Sequence, residues 1–382
     1  MLGRMGEGMS ARALIGLHAP IEPRQVVVGG ADAAAQREAV TDRLAALLDD
    51  PPAVILTGSC STALDAAAAA VDLDPGDEVV VPAFTFPTSA SAFAARGATL
   101  RFADVDPRTG NVDPAEVARL IGPRTRVVVV MHYAGVAVDL EPLAPMIADR
   151  GIDLVEDAAH GLFATLDERP LGRVGRFGTL SFHRTKNLST IEGGALIVNR
   201  ADDVERATVV IDKGTNRRTF ERGDVPAYEW TALGSSWRMP EAAVRLLALE
   251  LDRAAAGQAR RHHIWQRYVD GLGGWAAANR VGLPVVAAGR AHPAHLFFLV
   301  LPDAAARPPF MAWCAAAGVA TAWHYGSLPA STYGRRIAHP EDACPVAADL
   351  ASRLVRIPLH PGLSDEDVDR VVEAVTTAPL DL

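Results

Sequence analysis

Between residues 53 and 200 the chain repeats one pattern: a short apolar run, then a longer segment in which apolar residues recur every three or four positions. VILTG (54–58) leads into SCSTALDAAAAAV, EVVVPAF (78–84) into TSASAFAAR, ATLRFADV into DPAEVARLI, and RVVVVMHY (126–133) into LEPLAPMIADR. IDLVEDAA (152–159) follows and then, beyond a Gly-rich loop, GTLSF and GALIVN. A strand apolar on both faces suits a parallel sheet covered by helices on each side. The pattern therefore predicts an α/β domain, taken here as residues 36–245.

The period then changes. Residues 239–272 carry apolar side chains at helical spacing behind Pro240, which predicts one long helix or two in succession. HLFFLVLP (295–302), PPFMAWCAAAG, TAWHY and SDEDVDRVVEAV mix strand and helix patterns, so residues 246–382 are expected to form a smaller α+β domain. Residues 1–35 are weakly patterned and are set aside as an N-terminal segment.

Composition narrows the function. With 49% hydrophobic and 22% charged residues the chain reads as an ordinary globular protein. A net charge of −9 without any Lys/Arg-rich run speaks against nucleic acid as the partner. No stretch has the roughly 18 apolar residues of a membrane span, and no secretory leader is visible, so a cytoplasmic protein is expected. Three cysteines without CxxC spacing suit a reducing compartment, and no metal-ligand spacing stands out.

One bias is informative. Lysine occurs only at 186 and 213, so 35 of the 37 Lys+Arg residues are arginine. A surface cation can be either residue, but an amine that must shed its proton and act as a nucleophile cannot be arginine. Lys186 follows the apolar run of SFHRTK, at the end of a predicted strand. Asp157 ends IDLVED, where a buried carboxylate is costly without a cation, although it can also cap the helix that follows. TGSCST places the backbone N–H groups of Cys60 and Ser61 at a predicted helix start, either as an ordinary cap or as a phosphate site. In open α/β sheets ligands bind beyond the carboxyl ends of the strands. An amine, a carboxylate and a phosphate cradle at three such ends compose a site for pyridoxal 5'-phosphate (PLP): the amine forms a Schiff base and the acid holds the ring nitrogen protonated.

At this point the sequence resembles a known family. GDEVVVPAFTFPTSASAFAARGATLRFADVDPRT, VVMHYAGVAVDL, DLVEDAAHG and SFHRTKNLSTIEGGALIVN are similar to the sugar-nucleotide aminotransferases of the DegT/DnrJ/StrS type. The run from DKGTNRRTFERGDVPAYEW to LGSSWRM looks most like their 4-keto-6-deoxyhexose subgroup, of the dTDP-4-amino-4,6-dideoxygalactose transaminase kind. The resemblance implies the type I aspartate aminotransferase fold. It assigns Lys186 to the Schiff base, Asp157 to the ring nitrogen, Phe86 to stacking on the ring, His160 to the cofactor oxygen, and Ser181 with Cys60 and Ser61 to the phosphate. It also implies a homodimer with shared active sites, in which Lys213, Asn216 and Arg217 reach the neighbouring subunit's cofactor or the substrate phosphates. Arg238, His324, Tyr325 and His360 are further candidates for the sugar nucleotide, and His183 for a supporting hydrogen bond.

The implied reaction moves an amino group from an amino acid, L-glutamate by resemblance, to the C4 keto group of a dTDP-4-keto-6-deoxyhexose. C3 amination is the alternative. A dehydratase of the same fold would carry His where Lys186 stands, and a noncatalytic regulator would not need the lysine. Three departures are visible: Ser236 stands where most relatives have Asn, Pro329 where they have the His of a PLH motif, and the N-terminal segment lacks the family's usual Gly-rich opening.

Overall fold

A computed structural model of the chain describes residues 14–19 and 33–380. Most of the N-terminal segment, 1–13 and 20–32, lies outside them. The strands are β1 (Ala53–Thr57), β2 (Glu78–Pro82), β3 (Thr99–Ala103), β4 (Thr125–Met131) and β5 (Asp153–Asp157). A hairpin of β6 (Thr165–Leu166) and β7 (Arg169–Pro170) interrupts the series before β8 (Phe177–Ser181) and β9 (Gly194–Val198). The main sheet has seven strands in the order β1-β9-β8-β5-β4-β2-β3, parallel throughout except for β9, which runs antiparallel to both neighbours. Val127 to Val130 of β4 are all at 0% exposure, which is why that strand reads as an unbroken apolar run.

The helix Cys60–Ala70 packs on the sheet through Ala63, Ala66, Ala67 and Ala70, whose small side chains admit a close approach. Its start is fixed by a capping box: Ser59 Oγ accepts from Thr62 N, and Thr62 Oγ1 accepts from Ser59 N. The 239–272 pattern is one continuous helix, Glu241–Ala278. Its first half contributes Val244, Leu247 and Leu251 to one core, and its second half contributes Ile264, Tyr268 and Leu272 to another. That second core holds β11 (Phe297–Val300) and β12 (Leu354–Ile357), an antiparallel pair, together with the helices Arg307–Ala316 and Asp365–Thr376. A short β10 (Arg290–Ala291) pairs with β6. TAWHY, patterned like a strand, makes only an isolated bridge from Ala322 to Arg356.

Residues 14–19 dock on the smaller core. Ile15 is buried there and bridges Val319, with Ile15 N donating to Gly318 O and Ala320 N donating to Ile15 O. Among the described residues no helix is long and apolar enough to cross a membrane, and no group of three His, Cys, Asp or Glu is placed to hold a metal ion.

Candidate active site

The carboxyl ends of β5 and β8, the start of the helix Cys60–Ala70, and the small domain enclose a cavity of about 560 Å³. Cys60, Ser61, Phe86, Asp157, Ser181 and Lys186 all line it, as do His183, His324 and Tyr325. Residues drawn from five separate stretches of sequence thus share one space.

Asp157 is 2% exposed. Its Oδ2 accepts from Ser89 Oγ at 2.5 Å, and Ser89 Oγ is within 2.9 Å of Thr85 Oγ1, so the protons run from Thr85 to Ser89 to Asp157. Oδ1 accepts from Ala159 N at 3.0 Å. The carboxylate is therefore fixed in orientation, yet among the described residues no Lys, Arg or His lies within ion-pair distance of it. A buried carboxylate in this condition calls for a cation from outside the chain.

Lys186 leaves β8 on the turn that Lys186 N closes by donating to His183 O. Burial lowers its amine from the usual lysine range to about 8, aided by Arg356 and opposed by Cys60 and Asp157. A minor but ready fraction of the amine is thus neutral near physiological pH, far more than for an ordinary lysine. Cys60 donates its thiol to Thr179 Oγ1 at 3.4 Å, and burial with the Asp157 charge pushes the thiol pKa up, so it stays protonated and inert.

His160 is buried behind the cavity wall, and burial holds its pKa well below the ordinary value. Its Nδ1 accepts from Ala134 N at 3.2 Å, so the neutral ring carries its proton on Nε2 and donates it to Tyr325 Oη at 3.3 Å. The Tyr325 proton is then free for the cavity. Burial pushes that phenol well above its usual range, so the proton stays on. Phe86 is 50% exposed at the mouth, with its ring centroid 6.3 Å from Tyr325.

Among the lining residues not singled out in the sequence are His18, His295 and Arg356. The His295 ring packs against His160 tilted by 35°, with centroids 4.3 Å apart, and its Nδ1 lies 2.8 Å from Asn187 Oδ1, next to Lys186. His18 comes from the docked 14–19 segment, and burial together with the Arg356 charge lowers it to about 4.

The chain matches the DegT/DnrJ/EryC1/StrS aminotransferase family over residues 35–376. The chain belongs to this family. It is 30% identical over 333 residues to the spore coat polysaccharide biosynthesis protein SpsC of Bacillus subtilis, covering 84% of each chain. It is likewise 30% identical over 326 residues to UDP-N-acetyl-3-dehydro-alpha-D-glucosamine 3-aminotransferase of Acidithiobacillus ferrooxidans, covering 83% of this chain and 82% of that one. Among solved structures, the aminotransferase TlmJ of Streptoalloteichus hindustanus superposes with a TM-score of 0.83 at 30% identity, covering 96% of this chain and 99% of that one. The type I aminotransferase fold and PLP dependence follow for this DegT/DnrJ/EryC1/StrS member.

The cavity fits that cofactor. The unpaired Asp157 carboxylate suits a protonated ring nitrogen, and the Lys186 amine suits an aldehyde. At the start of the helix Cys60–Ala70 the N–H groups of Cys60 and Ser61 have no intrahelical acceptor, as at any helix start, and the Cys60–Ser61 turn lines the cavity. Gly194, at the start of β9, backs that turn: a Cβ there would collide with the backbone of Ser59 and Cys60. Gly194→Ala should therefore displace the cradle, and titration of the cofactor-free variant with PLP should show affinity weakened by about tenfold or more.

Besides His160, which stands behind the wall, four of the predicted site residues do not reach this cavity from their own chain. Lys213 pairs with Asp212 at 2.7 Å and Arg238 with the same carboxylate at 3.6 Å. Asn216 Nδ2 donates to Ala227 O, and its Oδ1 accepts from Glu229 N; Arg217 pairs with Glu221. The segment 212–238 folds on itself, joined by the Thr215–Trp230 bridge, and this keeps the four on the surface. His360 is buried outside the cavity lining.

Proposed function

We propose that the enzyme transfers an amino group from L-glutamate to the C4 keto carbon of a dTDP-4-keto-6-deoxyhexose, in two half-reactions that share one cavity. The observation that carries the chemistry is a lysine amine lowered to about 8 beside a fixed, unpaired carboxylate. The C4 acceptor rests on the DKGTNRRTF and GSSWRM runs, which look like the 4-keto-6-deoxyhexose subgroup.

In this reading PLP, when bound, supplies the electron sink that takes up carbanion charge at the carbon losing its proton. Lys186, as a neutral amine, would take up the proton released at the reacting carbon and give it back. Asp157 keeps the ring nitrogen protonated. Phe86 would cover the ring, Cys60 and Ser61 N–H groups with Ser181 would hold the phosphate, and Tyr325, its proton freed by His160, would donate into the cavity. Two copies of the chain share the sites. Trp230 at 73% exposure, with Leu233, Tyr228 and Phe220, gives the 212–238 segment an apolar face suited to a second copy. Lys213, Asn216 and Arg217 sit on that segment and would serve the neighbour's cofactor or substrate phosphates, with Arg238 and His324 completing the expected anion contacts.

A second reading, amination at C3, is favoured by the relative named as a 3-aminotransferase. Incubating the holoenzyme with dTDP-4-keto-6-deoxyglucose and glutamate, then recording NMR of the product, separates the two. The expected product carries its amine at C4. An amine at C3, or no turnover with this acceptor beside turnover with a 3-keto sugar nucleotide, overturns the C4 assignment.

A further inference from the structure

His295 is 4% exposed and lines the cavity, yet it has no role in the proton transfers assigned to Lys186 and Asp157. Its tautomer is fixed by a carbonyl. Pro293 O can only accept, and both Asn187 Nδ2, at 2.8 Å, and Gln258 Nε2, at 2.7 Å, donate to it. Asn187 therefore turns Oδ1 to His295 Nδ1, 2.8 Å away, and that nitrogen carries the ring proton. Nε2 is left as a bare lone pair. It accepts from no group among the described residues and is not sealed inside the protein, so it opens on the cavity that the ring lines. Strained backbone and a buried cation hold the ring there. Ala294, just before it, is fully buried at φ 45°, in the left-handed region that a residue with a Cβ rarely adopts. His292 Nδ1 accepts from Ala294 N at 3.2 Å, and Arg261 Nη1 donates to His295 O at 3.2 Å and to Ala294 O at 3.4 Å. Arg261 is 5% exposed with no carboxylate within ion-pair distance among the described residues, so its guanidinium serves backbone carbonyls. Strain of this kind persists only where surrounding contacts over-determine it, and it gathers at sites where a side chain must be aimed.

A lone pair aimed into the cavity calls for a donor there. Burial holds His295 well below the ordinary imidazole range, with the charges of His160, Lys186, Arg261 and Arg356 acting in the same direction, so the ring stays an acceptor throughout the neutral range. Lys186 lines the same cavity, and its amine makes no hydrogen bond among the described residues. Asn187, which sets the His295 tautomer, is the next residue in the chain. An amine that takes up a proton and gives it back needs its lone pair aimed at the reacting carbon. One N–H held by a fixed acceptor removes the rotation that would swing it away. We infer that His295 is a positioning residue for Lys186, its Nε2 accepting one N–H of the free amine. The inference rests on the reading of Lys186 as the proton carrier, and not on the identity of the sugar or of the amino donor.

The scarcity of lysine makes the test direct. In cofactor-free protein labelled with ¹³C at the lysine ε-carbon, only Lys186 and Lys213 give NMR signals, and Lys186→Ala assigns them. An ammonium group donates more strongly than an amine, so an acceptor favours the protonated form, and losing it should lower the Lys186 titration midpoint by about one pH unit. Two variants divide the imidazole. Asparagine puts an amide nitrogen where Nδ1 stood and keeps the bond to Asn187, whereas glutamine puts an oxygen where Nε2 stood and keeps the acceptor. His295→Asn should therefore show the lowered midpoint, and His295→Gln should stay close to wild type. Cys60, Asp157 and Arg356, the other groups that act on this amine, are untouched in both. In single-turnover measurements on the PLP holoenzyme, His295→Asn should slow proton removal from the donor by about 10- to 100-fold with half-saturation little changed, and His295→Gln should recover most of that rate. Equal loss in both variants with neither midpoint moved overturns the inference and leaves His295 a packing residue. A rise in half-saturation for one substrate alone, with the midpoint unmoved, also overturns it and gives Nε2 to a donor group of that substrate. A ¹⁵N spectrum of the wild-type imidazoles, assigned with His295→Gln, covers the case in which His295→Asn does not fold: His295 should be neutral with its proton on Nδ1, and a proton on Nε2 overturns the inference. If wild-type Lys186 does not take PLP, the proton-carrier reading fails, and the midpoints of the cofactor-free protein still decide whether the two side chains are bonded.

Discussion

Lys186→Ala folds, binds PLP more weakly, and loses transamination by roughly 10⁴-fold or more, because one side chain supplies both the nucleophile and the proton carrier. The measurement is a single-turnover assay of the donor half-reaction, paired with borohydride reduction of the PLP-loaded protein. Wild-type protein should yield a peptide carrying the reduced cofactor at Lys186 in mass spectrometry, and the variant should yield none. A pH dependence belongs to the same amine. Attack on the aldehyde needs the unprotonated form, and burial lowers Lys186 to about 8. Uptake of PLP by cofactor-free wild-type protein should therefore quicken about tenfold per pH unit below that value and level off above it. A profile still rising towards the ordinary lysine range would mean that the amine is not desolvated as the structure places it. Thermal unfolding of the variant should stay close to wild type, since Lys186 is half-buried and the lost contacts are few.

Much of this site could be read without coordinates, for a definite physical reason. β4, β5 and β8 are buried along nearly their whole length and built around apolar runs, so the polar residues at their carboxyl ends or just beyond stand out. Asp157, Ser181 and Lys186 are conspicuous on that account. The arginine bias makes Lys186 more so and has the opposite effect on Arg356, which is one of 35 arginines and sits in a short strand with no distinguishing spacing. His18 and His295 reach the cavity through tertiary docking, one by the Ile15 bridge and the other through the approach of the small domain to Asn187. Neither contact leaves a local trace in sequence. The helix Ala33–Leu47 escaped for a related reason: it buries only Val40 and Leu44, too narrow an apolar stripe to show as a period. The hairpin β6–β7 and its partner β10 are two residues each, shorter than any alternation that could be recognised.

Asp157→Asn is the second large effect, and it separates the carboxylate's charge from its shape. The amide is nearly isosteric: its oxygen can keep the bond from Ala159 N that Oδ1 accepts at 3.0 Å, and its NH2 can donate to Ser89 Oγ, which meets the carboxylate's Oδ2 at 2.5 Å. What disappears is the negative charge that keeps the ring nitrogen protonated. Proton removal from the donor should then slow by about 10²–10³-fold, the usual consequence of losing one preorganised electrostatic contact to developing charge. Measured as single-turnover rates, the loss should appear in both half-reactions, because both pass carbanion charge into the same ring, while half-saturation for either substrate changes little. Stability should shift in opposite directions in the two forms of the protein. Without cofactor, Asp157 is a buried charge with no cationic partner among the described residues, so replacing it by a neutral group should raise the unfolding temperature. With PLP bound, the same replacement removes an ion pair to the ring and should reduce the stabilisation that the cofactor confers. A variant that melts lower in both forms would point to a carboxylate needed by the fold itself. The crossing of the two effects is the signature expected of a carboxylate buried in readiness for a cation that the chain does not supply.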